Sequence, residues 1–270
     1  AIRRHDCYPV AAAALGRTMT GALLLAANLK NEEAVTVSFD GHGPLGKVTA
    51  DATPEGYVRG YVSEPHVSLP LNAKGKIDVG GGVGMDGMLA VTRFTGLKNP
   101  VTGSIAITDG EIADDLTKYL YVSEQTPSSV GLGVLVNPDF SCIGAGGFII
   151  QPLPDATNKT IDRIEANLKA ISSVSRLVGQ GYDAHAIIAA LLKGFDVHYL
   201  TTMELAFRCP CSKARISEVL LSLGEPDLKA LVSDGHAEVC CHFCGEKYPF
   251  SKEELEAILA EARKRHEHGM

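Results

Sequence analysis

Cys209-Pro210-Cys211 and Cys241-His242-Phe243-Cys244 are the two stretches on which the organisation of this chain turns. Their spacing is C-x-C, 29 residues, C-x-x-C. Two close thiol pairs separated by a compact stretch present four sulfurs to one tetrahedral Zn²⁺. A filled shell of four thiolates leaves no open position for water, so this pattern is not that of a hydrolytic zinc site. Gly245 directly follows the second pair and suits a knuckle turn that needs unusual backbone angles. Zinc ligands are therefore expected at Cys209, Cys211, Cys241 and Cys244, one ion per chain. Cys240 offers a second register, Cys240/Cys244, with a three-residue gap; the two-residue knuckle favours Cys241/Cys244. His236 and His242 could each replace a sulfur, but four cysteines suffice, and surface histidines are the simpler reading.

Outward from this cluster, composition sets the class. The chain has 270 residues, 45% of them hydrophobic, enough for one large domain and a smaller one. The net charge of −7 gives no global basic field for nucleic acid or anionic lipid. Residues 201–270 carry nine Lys/Arg against twelve Asp/Glu, so the cysteine-rich block is acidic as well. Five of the seven cysteines fall within 36 residues. A reducing cytosol leaves such thiols for metal or redox chemistry, whereas a secreted protein would pair them. No signal peptide is recognisable, and a cytoplasmic location is expected. The most apolar segment, 11–29, contains Arg17, Thr18 and Thr20 and reads as a buried helix rather than a membrane span. The sequence begins Ala-Ile-Arg without methionine, which leaves room for a preceding segment.

The periodicity predicts an α+β fold. A helix is expected over 10–30. Alternation at Val35, Val37 and Phe39 starts a series of strands that continues at 48–50, 57–62, 77–79, 88–94 and 103–108. A helix over 112–121 precedes a hairpin, 132–136 and 143–150, turned by Asn137-Pro138-Asp139. Cys142 in that hairpin reads as ordinary apolar packing. Short strands with no regular β-α alternation argue for α+β rather than α/β. Pro152-Leu153-Pro154 marks a boundary. Beyond it, Ile161, Ile164, Leu168 and Ile171 sit at helical spacing, and a second helical run occupies 184–193, with Gly179, Gly181 and Gly194 as punctuation. Short apolar faces make this middle stretch the least stable part. The last block begins near Thr201. Ser212 is expected to cap a helix that ends at Gly224, Pro226 to start another, and Ser251-Lys252-Glu253-Glu254 to form a capping box. The expected domains are 1–153, 154–200 and 201–270.

Two further patterns carry less. Gly82-Val83-Gly84-Met85-Asp86-Gly87 matches G-x-G-x-x-G, but Met88–Phe94 reads as a strand where a dinucleotide fingerprint requires a helix, so a glycine-rich turn is expected. Asp114-Asp115 reads as an exposed helix face. His266 and His268 are expected in a disordered tail.

In a module this small, metal binding and folding are one equilibrium. Structural zinc is worth on the order of 10–16 kcal/mol in short peptides, more than so short a block could draw from its own core. Oxidising one thiolate pair removes that contribution. Cys209–Cys211 would close a very small ring and Cys241–Cys244 a C-x-x-C ring, and strained disulfides are readily reduced again. The chemistry thus predicts a redox-dependent order-to-disorder element. A permanently reduced zinc staple explains the same four cysteines.

The sequence resembles the heat-shock-protein-33 family of redox-regulated holdase chaperones over nearly its whole length. The motifs, in order, are Ala14-Leu15-Gly16-Arg17-Thr18-Met19, Gly43-Pro44-Leu45-Gly46, Ala50-Asp51-Ala52, Ser123-Glu124-Gln125-Thr126-Pro127-Ser128-Ser129-Val130-Gly131, Ala145-Gly146-Gly147-Phe148 and Cys209-Pro210-Cys211-Ser212. The resemblance implies an α+β core, a helical linker and a zinc switch. It implies that the zinc-bound reduced protein is inactive, and that oxidants join Cys209–Cys211 and Cys241–Cys244, release zinc and unfold switch and linker. The exposed apolar surface then holds unfolding client proteins without ATP, and the active form tends to form a homodimer. No enzymatic activity, nucleic acid or membrane is implied. The apolar face of the linker helices, Ile161, Ile164, Leu168, Leu177, Ile187, Ile188, Leu191 and Leu192, is the candidate client surface on this resemblance. Cys240 departs from the family pattern and leaves room for other disulfides.

Two other readings start from the same cysteines. A nucleic-acid-binding zinc ribbon would need a basic patch and salt-dependent binding, against which the acidic 201–270 block speaks. A thiol oxidoreductase using Cys241/Cys244 would need one exposed, low-pKa thiol, typically at a helix N-terminus.

Overall fold

A computed structural model describes residues 1–30, 32–96, 99–171 and 173–267. His268 lies outside the described residues. The chain divides into two compact units, Ala1–Arg208 and Cys209–Met270.

The first unit is built on one apolar helix, α1 (Pro9–Ala26), with proline in its first turn. By length and composition α1 could cross a membrane. Here it is a core element: Ala11, Ala12, Ala13, Ala14, Leu15, Ala22 and Ala26 are buried within the unit. Two of its polar residues find partners within the unit, although Arg17 Nε is buried with none among the described residues. The Thr18 hydroxyl donates to the Ala14 carbonyl at 2.9 Å, and Arg17 reaches the Glu111 carboxylate at 2.6 Å.

On one side of α1 lies a six-stranded sheet. Its strands are β1 (Ala34–Asp40), β2 (Val48–Ala52), β3 (Tyr57–Val62), β4 (Met88–Phe94), β5 (Val101–Ala106) and β8 (Ala206–Phe207), in the order β5-β4-β1-β2-β3-β8. All pairs are antiparallel except β3 with β8. Alternation at Val35, Val37 and Phe39 puts these three side chains fully inside, as the period of two requires. Between β3 and β4 stands a single short helix, α2 (Val79–Val83). The strand expected over 77–79 does not form. Instead the Asp78 side chain accepts the Gly81 N–H at 3.1 Å and caps α2. The glycine run beyond it has no side chains with which to fill a sheet face. Gly82 to Gly87 therefore leaves a helical turn and enters β4, the reverse of the order a dinucleotide site needs.

Helix α3 (Ala113–Val122) comes after β5. The expectation of an exposed Asp114-Asp115 face holds for Asp114 only. Asp115 is fully buried, and its carboxylate accepts the backbone N–H groups of Thr108 at 2.6 Å and Gly110 at 3.0 Å. Burial pushes this carboxyl up, while the two N–H donors oppose the shift. These bonds satisfy backbone that β5 no longer pairs.

Helix α1 also packs against the hairpin β6 (Ser129–Val136) and β7 (Cys142–Ile150), with the expected turn at 137–141. Cys142 is exposed, contrary to the apolar packing expected of it. The turn leaves the strand's first residues outside the core. Three helices come next: α4 (Asn158–Ala170), α5 (Val174–Gly179) and α6 (Ala184–Leu191). Thr157, Ser173 and Asp183 cap them through N–H groups of Thr160, Arg176 and Ala186.

The second unit contains α7 (Lys213–Leu221), α8 (Glu225–Asp234), β9 (His236–Cys240), β10 (Lys247–Ser251) and α9 (Lys252–Glu267). Ser212 caps α7 as expected, accepting the Arg215 N–H at 3.2 Å. Pro226 lies in the first turn of α8, and Gly235 ends it in a left-handed conformation, φ 78°. The Ser251/Glu254 capping box is complete in both directions. Helix α9 carries the backbone through His266, which the sequence places in a disordered tail. The core of this unit is small: Leu220, Leu228, Phe250, Leu255, Ile258, Leu259 and Ala262.

Candidate metal centre

Two short segments of the second unit bring the four sulfurs together. Cys209 and Cys211 precede the Ser212 cap of α7 and are half-buried, whereas Cys241 and Cys244 sit in the connection between β9 and β10 and are buried. That connection is a tight turn. The Gly245 N–H donates to the Cys241 carbonyl at 2.8 Å, and the Cys241 N–H donates to the Glu246 carbonyl at 2.8 Å. Gly245 takes φ 69°, the left-handed region that its missing Cβ allows. The β9–β10 ladder, with Lys247 opposite Cys240 and Tyr248 opposite Val239, fixes the turn from below.

All four Sγ atoms lie within 4.8 Å of one another. Cys209 and Cys241 approach to 3.8 Å and Cys211 and Cys244 to 3.4 Å. A tetrahedral site with Zn–S bonds of about 2.3 Å spaces its sulfurs by roughly 3.8 Å. The donor set and its spacing therefore fit a four-coordinate, thiophilic metal such as Zn²⁺. Burial pushes the Cys211 and Cys244 thiols up, while the Tyr248 hydroxyl bonded to Cys211 and the Glu246 N–H bonded to Cys244 work the other way. Tyr248 Oη lies 3.0 Å from Cys211 Sγ.

Cys240 is exposed, on the strand position before Cys241, and its thiol contacts only the Cys241 carbonyl, at 4.0 Å, among its described bonds. The structure gathers Cys241, not Cys240, with the other three. His236 and His242 are not among the gathered side chains either. The thiol-oxidoreductase reading loses its footing here: Cys241 and Cys244 are buried and precede a strand, not a helix.

The eight linker residues are split by the fold. Ile187 and Leu191 of α6 are buried; Ile164, Leu168, Leu177, Ile188 and Leu192 are half-buried; Ile161 is exposed. No residue of α4 is buried. Polar caps tie α4 to the end of α6: Asn167 Nδ2 donates to the Leu191 carbonyl at 2.8 Å, and Arg163 donates to the Gly194 carbonyl at 2.9 Å. Helix α5 instead packs on the hairpin β6–β7.

Sequence reasoning misses that contact, and with it Val174, the buried residue of α5. The available signal is glycine alternation in the strands: Gly131 and Gly133 in β6, Gly144 and Gly146 in β7. Isolated strand glycines mark close backbone approach. A Cβ at Gly146 would lie 2.8 Å from Val178 Cγ1, and one at Gly144 would lie 2.9 Å from the Val178 carbonyl oxygen. Tyr248 is missed too; an aromatic four residues beyond Cys244 carries no ligand signature.

Comparison with known proteins gives one answer. A family model described as Hsp33 protein matches residues 1–251. The 33 kDa chaperonin of Bacillus velezensis is 49% identical over 260 residues, 96% of this chain and 89% of that protein. The 33 kDa chaperonin of Bacillus subtilis is 48% identical over 257 residues, 95% of this chain and 88% of that protein. Among solved structures, the 33 kDa chaperonin (heat shock protein 33 homolog) of Thermotoga maritima superposes with a TM-score of 0.90 at 37% identity. That match covers 97% of this chain and 90% of that one.

Proposed function

Because this chain belongs to the Hsp33 family, we propose that it is an ATP-independent holdase chaperone whose activity is set by the oxidation state of Cys209, Cys211, Cys241 and Cys244. In the reduced, resting state these four thiolates hold one Zn²⁺. When bound, the metal supplies a cross-link between the start of the second unit and its β9–β10 turn. Oxidation joins Cys209 to Cys211 and Cys241 to Cys244. The disulfide sulfurs are no longer thiolates and cannot serve as ligands.

The observation that carries this reading is the meeting of four sulfurs within 4.8 Å in a unit whose core, among the described residues, has seven buried apolar side chains. So small a core leaves folding dependent on the cross-link. The linker region, 154–200, is the second element of the switch. Its helices are short, α4 buries no residue, and its apolar side chains at Ile161, Ile164, Leu168, Leu177, Ile187, Ile188, Leu191 and Leu192 form the proposed client surface. Residues 1–153 act as the stable core and 201–270 as the redox switch. Unfolding proteins are the partners, a homodimer forms on activation, no chemical reaction on a substrate is catalysed, and the protein works in the cytoplasm.

The test is a three-way measurement on one sample, before and after peroxide with mild heat: zinc per chain, free thiols per chain, and suppression of aggregation of a denaturing client. The expected result is loss of one zinc and four thiols together with the gain of client protection. Zinc retained after oxidation, or no protection once it has gone, would overturn the reading.

A further inference from the structure

Strand β8 is the slightest member of the six-stranded sheet. It has two residues, Ala206 and Phe207, and pairs in parallel with Tyr57 and Val58, two of the six residues of β3. Its hold is a backbone one: the Ala206 N–H donates to the Gly56 carbonyl and the Arg208 N–H to the Val58 carbonyl, each at 3.0 Å. Glu204, Leu205 and Ala206 are exposed, so apolar burial adds little to a ladder this short. The seat is nevertheless shaped for a second backbone. A Cβ on Gly56 would lie 2.4 Å from the Glu204 carbonyl oxygen, and Gly56 takes φ 83°; only glycine lets a chain lie across it. Two side chains outside β8 frame the seat. The Tyr57 ring faces the Arg208 guanidinium, 4.6 Å from the ring centroid, and the Arg4 guanidinium stands over the Phe207 ring at 5.8 Å.

We propose that the edge of β3 away from β2 is a docking site for an extended backbone, with β8 as its resting occupant and an unfolding client segment as its occupant after activation. What the edge reads in β8 is two N–H groups. Every residue but proline carries that donor, so the site suits partners that share no sequence. Unfolding proteins supply the matching chemistry: extended stretches whose N–H and C=O groups have lost their own partners. Arg4 and Tyr57 add a preference for an aromatic residue followed directly by a basic one, the order of Phe207-Arg208. The flanks of β8 explain when exchange occurs. The linker ends just before it, and the second unit begins at Cys209, directly after Arg208. Once both flanks unfold, β8 is held by its own short ladder alone, and a strand from another chain competes for the same carbonyls. An edge left open at rest would invite such pairing at all times, so a removable strand of the same chain is the cover that keeps it shut.

This inference rests on the holdase reading above for its trigger and its partner, and one arm of its test is independent of that reading. The independent arm uses the full-length reduced protein and a fluorescent heptapeptide with the sequence of residues 202–208. In the native protein β8 covers the site. Ala206→Pro removes the N–H that β8 gives to Gly56, and is expected to raise peptide affinity about tenfold with zinc content unchanged. The same peptide N-methylated at its alanine and arginine keeps both side chains but lacks both donors, and should lose that gain. Equal binding of the two peptides, or equal affinity of the native protein and the variant for the plain peptide, would overturn the proposal. The second arm needs no proline. With p-benzoylphenylalanine at position 57, the reduced protein should cross-link to 204–208 of its own chain. After peroxide with mild heat it should cross-link to a denaturing client instead. Client cross-links from the same probe at linker position 187 with none from position 57 would overturn the proposal, as would cross-links from position 57 to a second copy of this chain. Should the oxidised protein hold no client at all, the holdase reading falls, while the pair of peptides still decides whether the β3 edge takes a strand through its backbone.

Discussion

Gly133 on β6 faces the start of α5 so closely that a Cβ on it would lie 2.1 Å from the backbone nitrogen of Ser175. That distance is far inside van der Waals contact, so only glycine lets the linker helix seat on the hairpin. Gly179, at the other end of α5, stands in the same relation to Leu135, whose Cδ2 would be 2.2 Å from an added Cβ. The seat is shape-dependent at both ends.

Gly133→Ala should therefore unseat α5 while leaving the metal centre untouched. Overpacking of this sort costs about 1–3 kcal/mol, which so short a helix with one buried residue cannot absorb. Amide exchange at 174–179 should accelerate, zinc content should remain at one per chain, and the reduced protein should protect a denaturing client without oxidant. Fast exchange in α5 with no gain in protection would place the client surface elsewhere.

Metal removal should act on the two units differently. The first unit has its own large core around α1 and Phe39. The second has seven buried apolar residues and the four-sulfur cluster, and the cross-link is worth on the order of 10–16 kcal/mol in comparable short modules. Chelation under reducing conditions should collapse amide protection across 209–267 and leave α1 and the sheet protected. Retained protection in α7 to α9 after complete metal removal would show that this unit folds on its packing alone.

Legibility in the sequence depends on which forces act locally. Strands β3 and β4 are legible to the residue, because alternation with a bounding turn is a local signal. The caps at Ser212 and Ser251 are legible too, since a cap is a contact of three residues' reach. The gathering of four sulfurs is legible because cysteine is a rare residue type and the spacing is rare. Asp78 is not, because its cap competes with a strand-like Ile77–Val79 pattern and wins only through the glycines beyond it. Asp115 looks like a surface acid, and only the end of the β5 ladder supplies the N–H groups that bury it. The seat of α5 and the reach of Tyr248 to Cys211 are long-range packing, to which neither periodicity nor spacing gives access.

The role of Cys240 can be decided by substitution. It is exposed, on the strand position next to Cys241, and it is not gathered with the other sulfurs. Cys240→Ser should keep one zinc per chain and the same peroxide dose for its release. Cys241→Ser should lose the metal, since it removes a buried sulfur 3.8 Å from Cys209. The opposite pattern, with zinc lost only in Cys240→Ser, would move the ligand register to Cys240/Cys244.

Cys7 gives the first unit a pH dependence at the alkaline end. It is buried in the core of that unit, and burial pushes its thiol from an ordinary 9.0 up to about 11. The folded state thus keeps the proton over a range in which the unfolded chain has lost it. Where the folded form binds more protons, stability falls as pH rises. The contribution is complete below pH 9.0 and is lost progressively toward about 11; a shift of this size corresponds to roughly 2–3 kcal/mol. Urea unfolding of the native protein and of Cys7→Ala, monitored by far-UV circular dichroism below and above that window, isolates the effect, because other titrating groups are common to both. The native protein should lose more stability than Cys7→Ala on going to the higher pH. Parallel losses in the two would mean that the Cys7 thiol ionises in the folded state as easily as in the unfolded one.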